Sequence, residues 1–191
     1  MPLKHLLDSR IIERAQEFAE TDLSSFLLDM FLGETCNLKC KHCYFGDHNI
    51  TGHTLNYEDW ARIIDAFYEC GCRHFHISGK ESLLTHHTLK VLDYLGVKKA
   101  QDNNIFYGLI SNGTSVTTDQ YNNIIASPID YLEFSLDGDE INNDYIRGQG
   151  SYRKVFNTIK ELQSTNKISI SYTINQLNHT DLKTVLAKLY R

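Results

Sequence analysis

The stretch Phe26-Leu-Leu-Asp-Met-Phe-Leu-Gly33, followed at once by Glu34-Thr35-Cys36-Asn-Leu-Lys-Cys40-Lys-His42-Cys43, decides how the chain is read. An apolar run of this length closed by a glycine predicts a buried strand from Phe26 to Gly33. The loop leaving that strand carries three cysteines, and thiolates so closely spaced can converge on one soft-metal centre. Everything downstream repeats the same strand-then-loop pattern.

After a polar, glycine-containing stretch over 44–55, Asn56 is placed to cap a helix whose stripe is Tyr57, Trp60, Ala61, Ile64, Phe67 and Tyr68, with Glu58 and Asp59 in its first turn. Gly71 is the expected stop. Arg73 to Ser78 predicts a strand stopping at Gly79, and a second helical stripe runs through Leu89, Leu92 and Leu95 to Gly96. Ile105 to Ile110 predicts a third strand ending at Ser111-Asn112-Gly113-Thr114, followed by a short helix capped at Thr117 or Thr118. Ile129 to Leu136 predicts a fourth, ending at Asp137-Gly138, then a polar loop and a helix with Val155, Phe156, Ile159 and Leu162. Ile168 to Ile174 alternates as a fifth strand, and Leu182, Val185, Leu186 and Leu189 mark the last helix. Strands alternating with helices predict an α/β fold with a parallel sheet and right-handed crossovers. In such sheets, open or closed into a barrel, function gathers at the carboxyl ends of the strands, where the cysteine loop and the polar segments all fall.

The 191 residues, 41% hydrophobic and 23% charged, suffice for one substantial core and are not composed like a disordered protein. A net charge of -5 argues against a nucleic-acid binder, because phosphate affinity needs a surplus of Lys and Arg on one face. The longest apolar stretch is far shorter than a membrane span, and no charged-then-apolar signal opens the chain, so no membrane partner and a cytoplasmic location are expected. Residues 1–25 place Leu3, Leu6, Leu7, Ile11, Ile12, Ala15, Phe18 and Ala19 at helical spacing, predicting an amphipathic lead-in helix before a core domain spanning 26–191.

Five cysteines, three of them bunched, fit a metal site in a reducing compartment better than a disulfide framework. A structural zinc site wants four ligands, commonly as two close pairs. Cys70 and Cys72 form a second pair, with His42, His48 or His53 as substitutes, but the pair falls at the opposite end of the sheet and reads as small buried residues. A cluster held by three thiolates, with one iron left open, is the other way to use Cys36, Cys40 and Cys43, and it makes an enzyme site.

The C-x3-C-x2-C spacing, with His42 before the last cysteine and its position between the first strand and first helix, resembles the signature of the radical S-adenosylmethionine (SAM) superfamily. Further motifs follow in order. Ser78-Gly79-Lys80-Glu81-Ser82-Leu83-Leu84 is similar to the family's Gly-Gly-Glu-Pro-Leu-Leu, departing from it at Lys80 and Ser82. Leu109-Ile110-Ser111-Asn112-Gly113-Thr114 resembles the third strand-end motif. Ser135-Leu136-Asp137-Gly138, with Asp144 to Gly148 and Gly150-Ser151, resembles the branch of peptide- and protein-modifying members that often carry a SPASM or twitch domain.

That resemblance implies a partial (β/α) TIM-type barrel; the family core has six units, and five are counted here, with no auxiliary-cluster cysteines after them. Either a portion of a longer enzyme, an inactive truncated relative, or a minimal member fits that count. It also implies that Cys36, Cys40 and Cys43 ligate a [4Fe-4S] cluster, and that His42, Gly79, Lys80, Glu81, Ser111, Asn112, Ser135, Asp137 and Arg147 form the SAM site. Within that set the resemblance implies that Glu81 accepts from the ammonium group, Ser135 meets the ribose or carboxylate and Arg147 the carboxylate. The implied activity is reductive SAM cleavage to a 5′-deoxyadenosyl radical that takes a hydrogen atom from a peptide or protein side chain, with an external donor such as flavodoxin or ferredoxin. His74 and His76 share one face of the second strand and can line the pocket, although a strand histidine is more often a packed or surface residue. A zinc-stabilised binding domain is the rival from another class.

Overall fold

The computed structural model describes residues 23–45 and 55–189. The lead-in helix expected over 1–25 lies almost wholly outside the described residues, as do His48 and His53. The elements in order are β1 (Leu27–Phe31), α1 (Tyr57–Glu69), β2 (His74–Ser78), a single 3₁₀ turn (Ser82–Leu84), α2 (Thr88–Gln101), β3 (Phe106–Ser111), α3 (Thr118–Ala126), β4 (Tyr131–Ser135), α4 (Glu140–Arg147), α5 (Ser151–Leu162), β5 (Ile168–Ser171) and α6 (Leu182–Leu189). The strands form one sheet in the order β1-β2-β3-β4-β5, parallel at every pairing. The order follows the sequence with no reversal, so crossovers of the usual right hand put the helices on one side of the sheet.

The register explains the two faces. Met30, Phe75, Ile77, Tyr107, Leu109, Leu132 and Phe134 share the helix side and are each at most 1% exposed. Burying side chains of this kind is worth about 1.5–3 kcal/mol each, so this layer is the core. The opposite face carries Asp29, Phe31, His74, His76, Phe106, Tyr131 and Glu133, all exposed or half-buried.

Local signals set several boundaries. Asn56 accepts from the Asp59 N–H at 2.8 Å while the Asp59 carboxylate accepts from the Asn56 N–H, a reciprocal cap that starts α1. Thr117 and Gln120 cap α3 in the same way. Three expectations need correction. The first strand is not buried on both faces: as the edge of the sheet it leaves Phe26 and Leu27 each 54% exposed. Gly96 does not end α2 but lies inside it, where a β-carbon would come within 3.0 Å of Pro128 and 3.2 Å of the Tyr107 hydroxyl. The polar loop expected after the fourth strand contains α4, started by the Asp139 carboxylate accepting from the Asn142 N–H at 3.0 Å and stopped at Gly148, whose φ is 119°.

Candidate functional site

The cysteine loop continues the edge strand's path along the end of β2. The Lys80 N–H donates to the Gly33 carbonyl at 3.2 Å and the Glu81 N–H to the Thr35 carbonyl at 3.0 Å. This close approach explains Gly79: its φ is 146°, and a β-carbon there would sit 3.0 Å from the Gly33 carbonyl oxygen. Further on, Asn37 donates to the Thr114 hydroxyl at 2.9 Å and accepts from the Asn112 amide at 2.8 Å, tying the loop to the end of β3. On the other side the Lys41 N–H donates to the Ile146 carbonyl at 2.8 Å, and the Cys40 thiol faces the Arg147 carbonyl at 4.0 Å. The loop is thus clamped between β3 and α4.

Cys36, Cys40 and Cys43 are free and partly exposed, and they line one cavity of about 980 Å³. Its other walls come from the strand ends: Gly79 and Lys80 after β2, Ile110, Ser111 and Asn112 at β3, Ser135 at β4, Ser171 and Thr173 at β5, and Arg147 from α4. Burial pushes the Cys36 thiol above its ordinary pKa, with Glu81 and Cys43 adding to the rise while the Leu38 N–H and the Asn112 amide oppose it. Burial does the same for Cys40, with Cys36, Cys43 and Asp137 adding and Arg147 opposing. Thiols held up in this way ionise when a thiophilic metal displaces their protons. No three His, Cys, Asp or Glu side chains among the described residues are grouped so as to hold a single metal ion.

Of the nine residues that the resemblance assigned to SAM, seven line the cavity: His42, Gly79, Lys80, Ser111, Asn112, Ser135 and Arg147. Glu81 and Asp137 stand behind its wall instead. Glu81 is 1% exposed, and its carboxylate accepts from the Asn112 N–H at 2.7 Å, the Ser111 hydroxyl at 2.9 Å, the Ser115 hydroxyl at 3.0 Å and the Leu83 N–H at 3.4 Å. Glu81, expected to meet the ammonium group of SAM, ties the end of β2 to the end of β3 and to Ser115 through these bonds. Burial raises its pKa, and those hydrogen bonds oppose the rise.

Asp137 is fully buried. It accepts from Arg147 Nε at 2.5 Å and from the Thr173 N–H at 2.7 Å, and lies 3.4 Å from His42 Nε2. One carboxylate thus gathers the cysteine loop, α4 and the end of β5. Burial lowers the His42 pKa while Asp137 opposes that shift. Residues missed by sequence reading complete the support: Asn143 accepts from the Asp137 N–H at 2.9 Å, and Asn178 donates to the Asp137 carbonyl at 2.9 Å. Both are fully buried, and an asparagine in a polar stretch gives no local sign of this. Cys70 and Cys72 lie buried at the start of β2, away from the cysteine loop, where the Cys72 thiol donates to the Phe26 carbonyl at 3.3 Å.

The family model described as Radical SAM superfamily matches residues 30–189. The chain belongs to that superfamily. It is 26% identical over 153 residues to an Fe-coproporphyrin III synthase of Methanosarcina barkeri, covering 78% of this chain and 37% of the relative. It is also 26% identical over 159 residues to a pre-heme d1 synthase of Dinoroseobacter shibae, covering 81% and 38%. The chain spans less than two fifths of the length of either. Its fold is similar to that of Streptococcus suis SuiB bound to precursor peptide SuiA, with a TM-score of 0.73 and 17% identity over 94% of this chain and 39% of that one. Native anSMEcpe with bound AdoMet superposes with a TM-score of 0.60 and 18% identity, covering 76% and 42%. Among the described residues, no helix is long and apolar enough to cross a membrane.

Proposed function

We propose that this chain is the cofactor-holding core of a radical SAM enzyme that takes a hydrogen atom from a peptide or protein side chain. The observation that carries the reading is the shared cavity: three free cysteines from one loop and the ends of β2, β3, β4 and β5 face the same space. Cys36, Cys40 and Cys43, free and lining the one cavity, would hold a [4Fe-4S] cluster. When bound, the cluster and SAM supply reductive cleavage of SAM and a 5′-deoxyadenosyl radical.

The chain's own residues hold the pieces in place and keep water out. Gly79 and Lys80 offer the edge of β2 to the amino acid end of SAM, Arg147 offers a guanidinium to its carboxylate, and Ser135 a hydroxyl to the ribose. Glu81 holds the Ser111-Asn112 wall in shape, and Asp137 sets Arg147 and His42. Exposed Lys39 and Lys41 flank Cys40 and give a one-electron donor of the flavodoxin or ferredoxin kind a basic approach.

The peptide reading is supported by the fold shared with SuiB and anSMEcpe, both solved with peptides bound. A second reading, modification of a tetrapyrrole side chain, is favoured by the names of the two sequence relatives. Anaerobic enzyme loaded with iron and sulfide and reduced with dithionite is expected to release 5′-deoxyadenosine from SAM. Deuterium transferred into 5′-deoxyadenosine from a deuterated peptide supports the first reading, and transfer from a deuterated tetrapyrrole replaces it with the second. No 5′-deoxyadenosine from fully loaded protein overturns both.

A further inference from the structure

The face of the sheet without helices carries a pair built across three strands. The register aligns Asp29, His76, Gly108 and Tyr131 in one row over β1, β2, β3 and β4. Tyr131 does not stand up from β4. Its ring lies flat over Gly108, where a β-carbon would meet Tyr131 Cε1 and the Tyr131 carbonyl oxygen at 2.5 Å each. Having crossed β3, its hydroxyl reaches His76 Nδ1 at 2.6 Å, with the two rings nearly parallel at 8°. Only glycine at the middle position lets β4 hydrogen-bond β2 in this way.

The hydrogen bond fixes more than position. Burial, with Glu133, Asp29 and Asp130 nearby, pushes the Tyr131 hydroxyl up to about 12, so it keeps its proton. His76 Nδ1 is the one hydrogen-bond partner of that hydroxyl among the described residues. When Tyr131 donates that proton to Nδ1, a neutral imidazole carries its own proton on Nε2. That second nitrogen has no hydrogen-bond partner among the described residues. On the same face, two residues nearer the strand ends, Ile110 already lines the cavity, about 7 Å further along the strand direction.

We infer that His76 is a substrate-contact residue, its Nε2–H donating to an acceptor oxygen of the substrate laid on this face below the cavity, with Tyr131 as the positioning residue that fixes the tautomer. The assignment rests on the radical SAM reading only for the substrate's identity. The acceptor is either a peptide carbonyl or a carboxylate, such as a tetrapyrrole propionate; the chemistry is shared, and the source is distinguishable.

The test uses the full chain labelled with 15N-histidine, the His76 signals being assigned by their loss in His76→Gln. Long-range 1H–15N spectra of wild type are expected to show the Nε2–H tautomer. Titration with N-acetylalanine N-methylamide or with propionate should move the Nε2–H proton downfield in a saturable way. A response to the amide assigns a peptide carbonyl, and a response to propionate alone assigns a carboxylate. Tyr131→Phe, checked for an unchanged backbone spectrum, should admit a share of the Nδ1–H form and weaken the probe in proportion. A wild-type Nδ1–H tautomer, or a Nε2–H signal that answers neither probe, overturns the assignment and leaves the pair as packing. Neither readout needs the cluster, so a protein that fails to cleave SAM while His76 responds rejects the enzyme reading alone.

Discussion

Replacing Glu81 tests whether this residue supports the cavity wall or contacts what the cavity holds. In Glu81→Ala the Asn112 N–H loses an acceptor at 2.7 Å, the Ser115 hydroxyl one at 3.0 Å and the Leu83 N–H one at 3.4 Å. A buried donor left unmet costs about 1–3 kcal/mol, and loss of the buried carboxylate returns part of that, so a net destabilisation of about 2–4 kcal/mol is expected. Glu81→Gln keeps the shape but sets an NH₂ group against one of these donors, with an expected loss of about 1–2 kcal/mol. The pH dependence carries a definite sign. Burial raises the folded-state pKa of Glu81, so the folded chain holds this proton more tightly than the unfolded one. Its contribution is then largest below the unfolded value of about 4.3 and declines as pH rises through the folded value. The Gln variant lacks that decline, and its deficit relative to wild type should shrink between about pH 4 and neutrality. Urea unfolding of the three proteins across that range reads both effects. An Ala variant as stable as wild type, or a Gln deficit that widens with pH, refutes the reasoning.

Other substitutions probe the remaining supports. Gly108→Ala forces a methyl into the Tyr131 ring and carbonyl, and should lower stability by about 1–3 kcal/mol in thermal unfolding, since the carbonyl cannot turn away. Asp137→Asn removes the charge that Arg147 and His42 face, and after anaerobic reconstitution it should retain less iron per chain than wild type while keeping its far-UV circular dichroism. Tyr121→Phe removes a hydroxyl 2.9 Å from Ser111 Oγ and should cost about 1 kcal/mol in urea unfolding without changing iron content.

Much of this architecture was legible because its signals are local. Asn56 and Asp59 announce α1, and the glycines after β2 and β4 mark where the chain turns over the sheet. The cysteine loop was legible through spacing and place together. What escaped depends on contacts distant in sequence. Only Asn143 and Ile146 of α4 are buried, so its polar sequence has no apolar stripe to betray a helix. Gly96 looks like a stop until Pro128 and Tyr107 are seen to need the space. Glu81 reads as a cofactor contact, and nothing nearby reveals that residues 30 and 34 positions later enclose it. The Tyr131–His76 pair is hidden for the same reason, since the glycine that permits it lies on a third strand.

The most direct test of the central claim is the EPR spectrum of the reduced, anaerobically reconstituted chain, recorded with and without SAM alongside a Cys36/Cys40/Cys43→Ala variant. The account predicts four irons per chain and a cluster signal that changes when SAM is added, both lost in the variant. Stoichiometric zinc, or an iron signal indifferent to SAM, would contradict it.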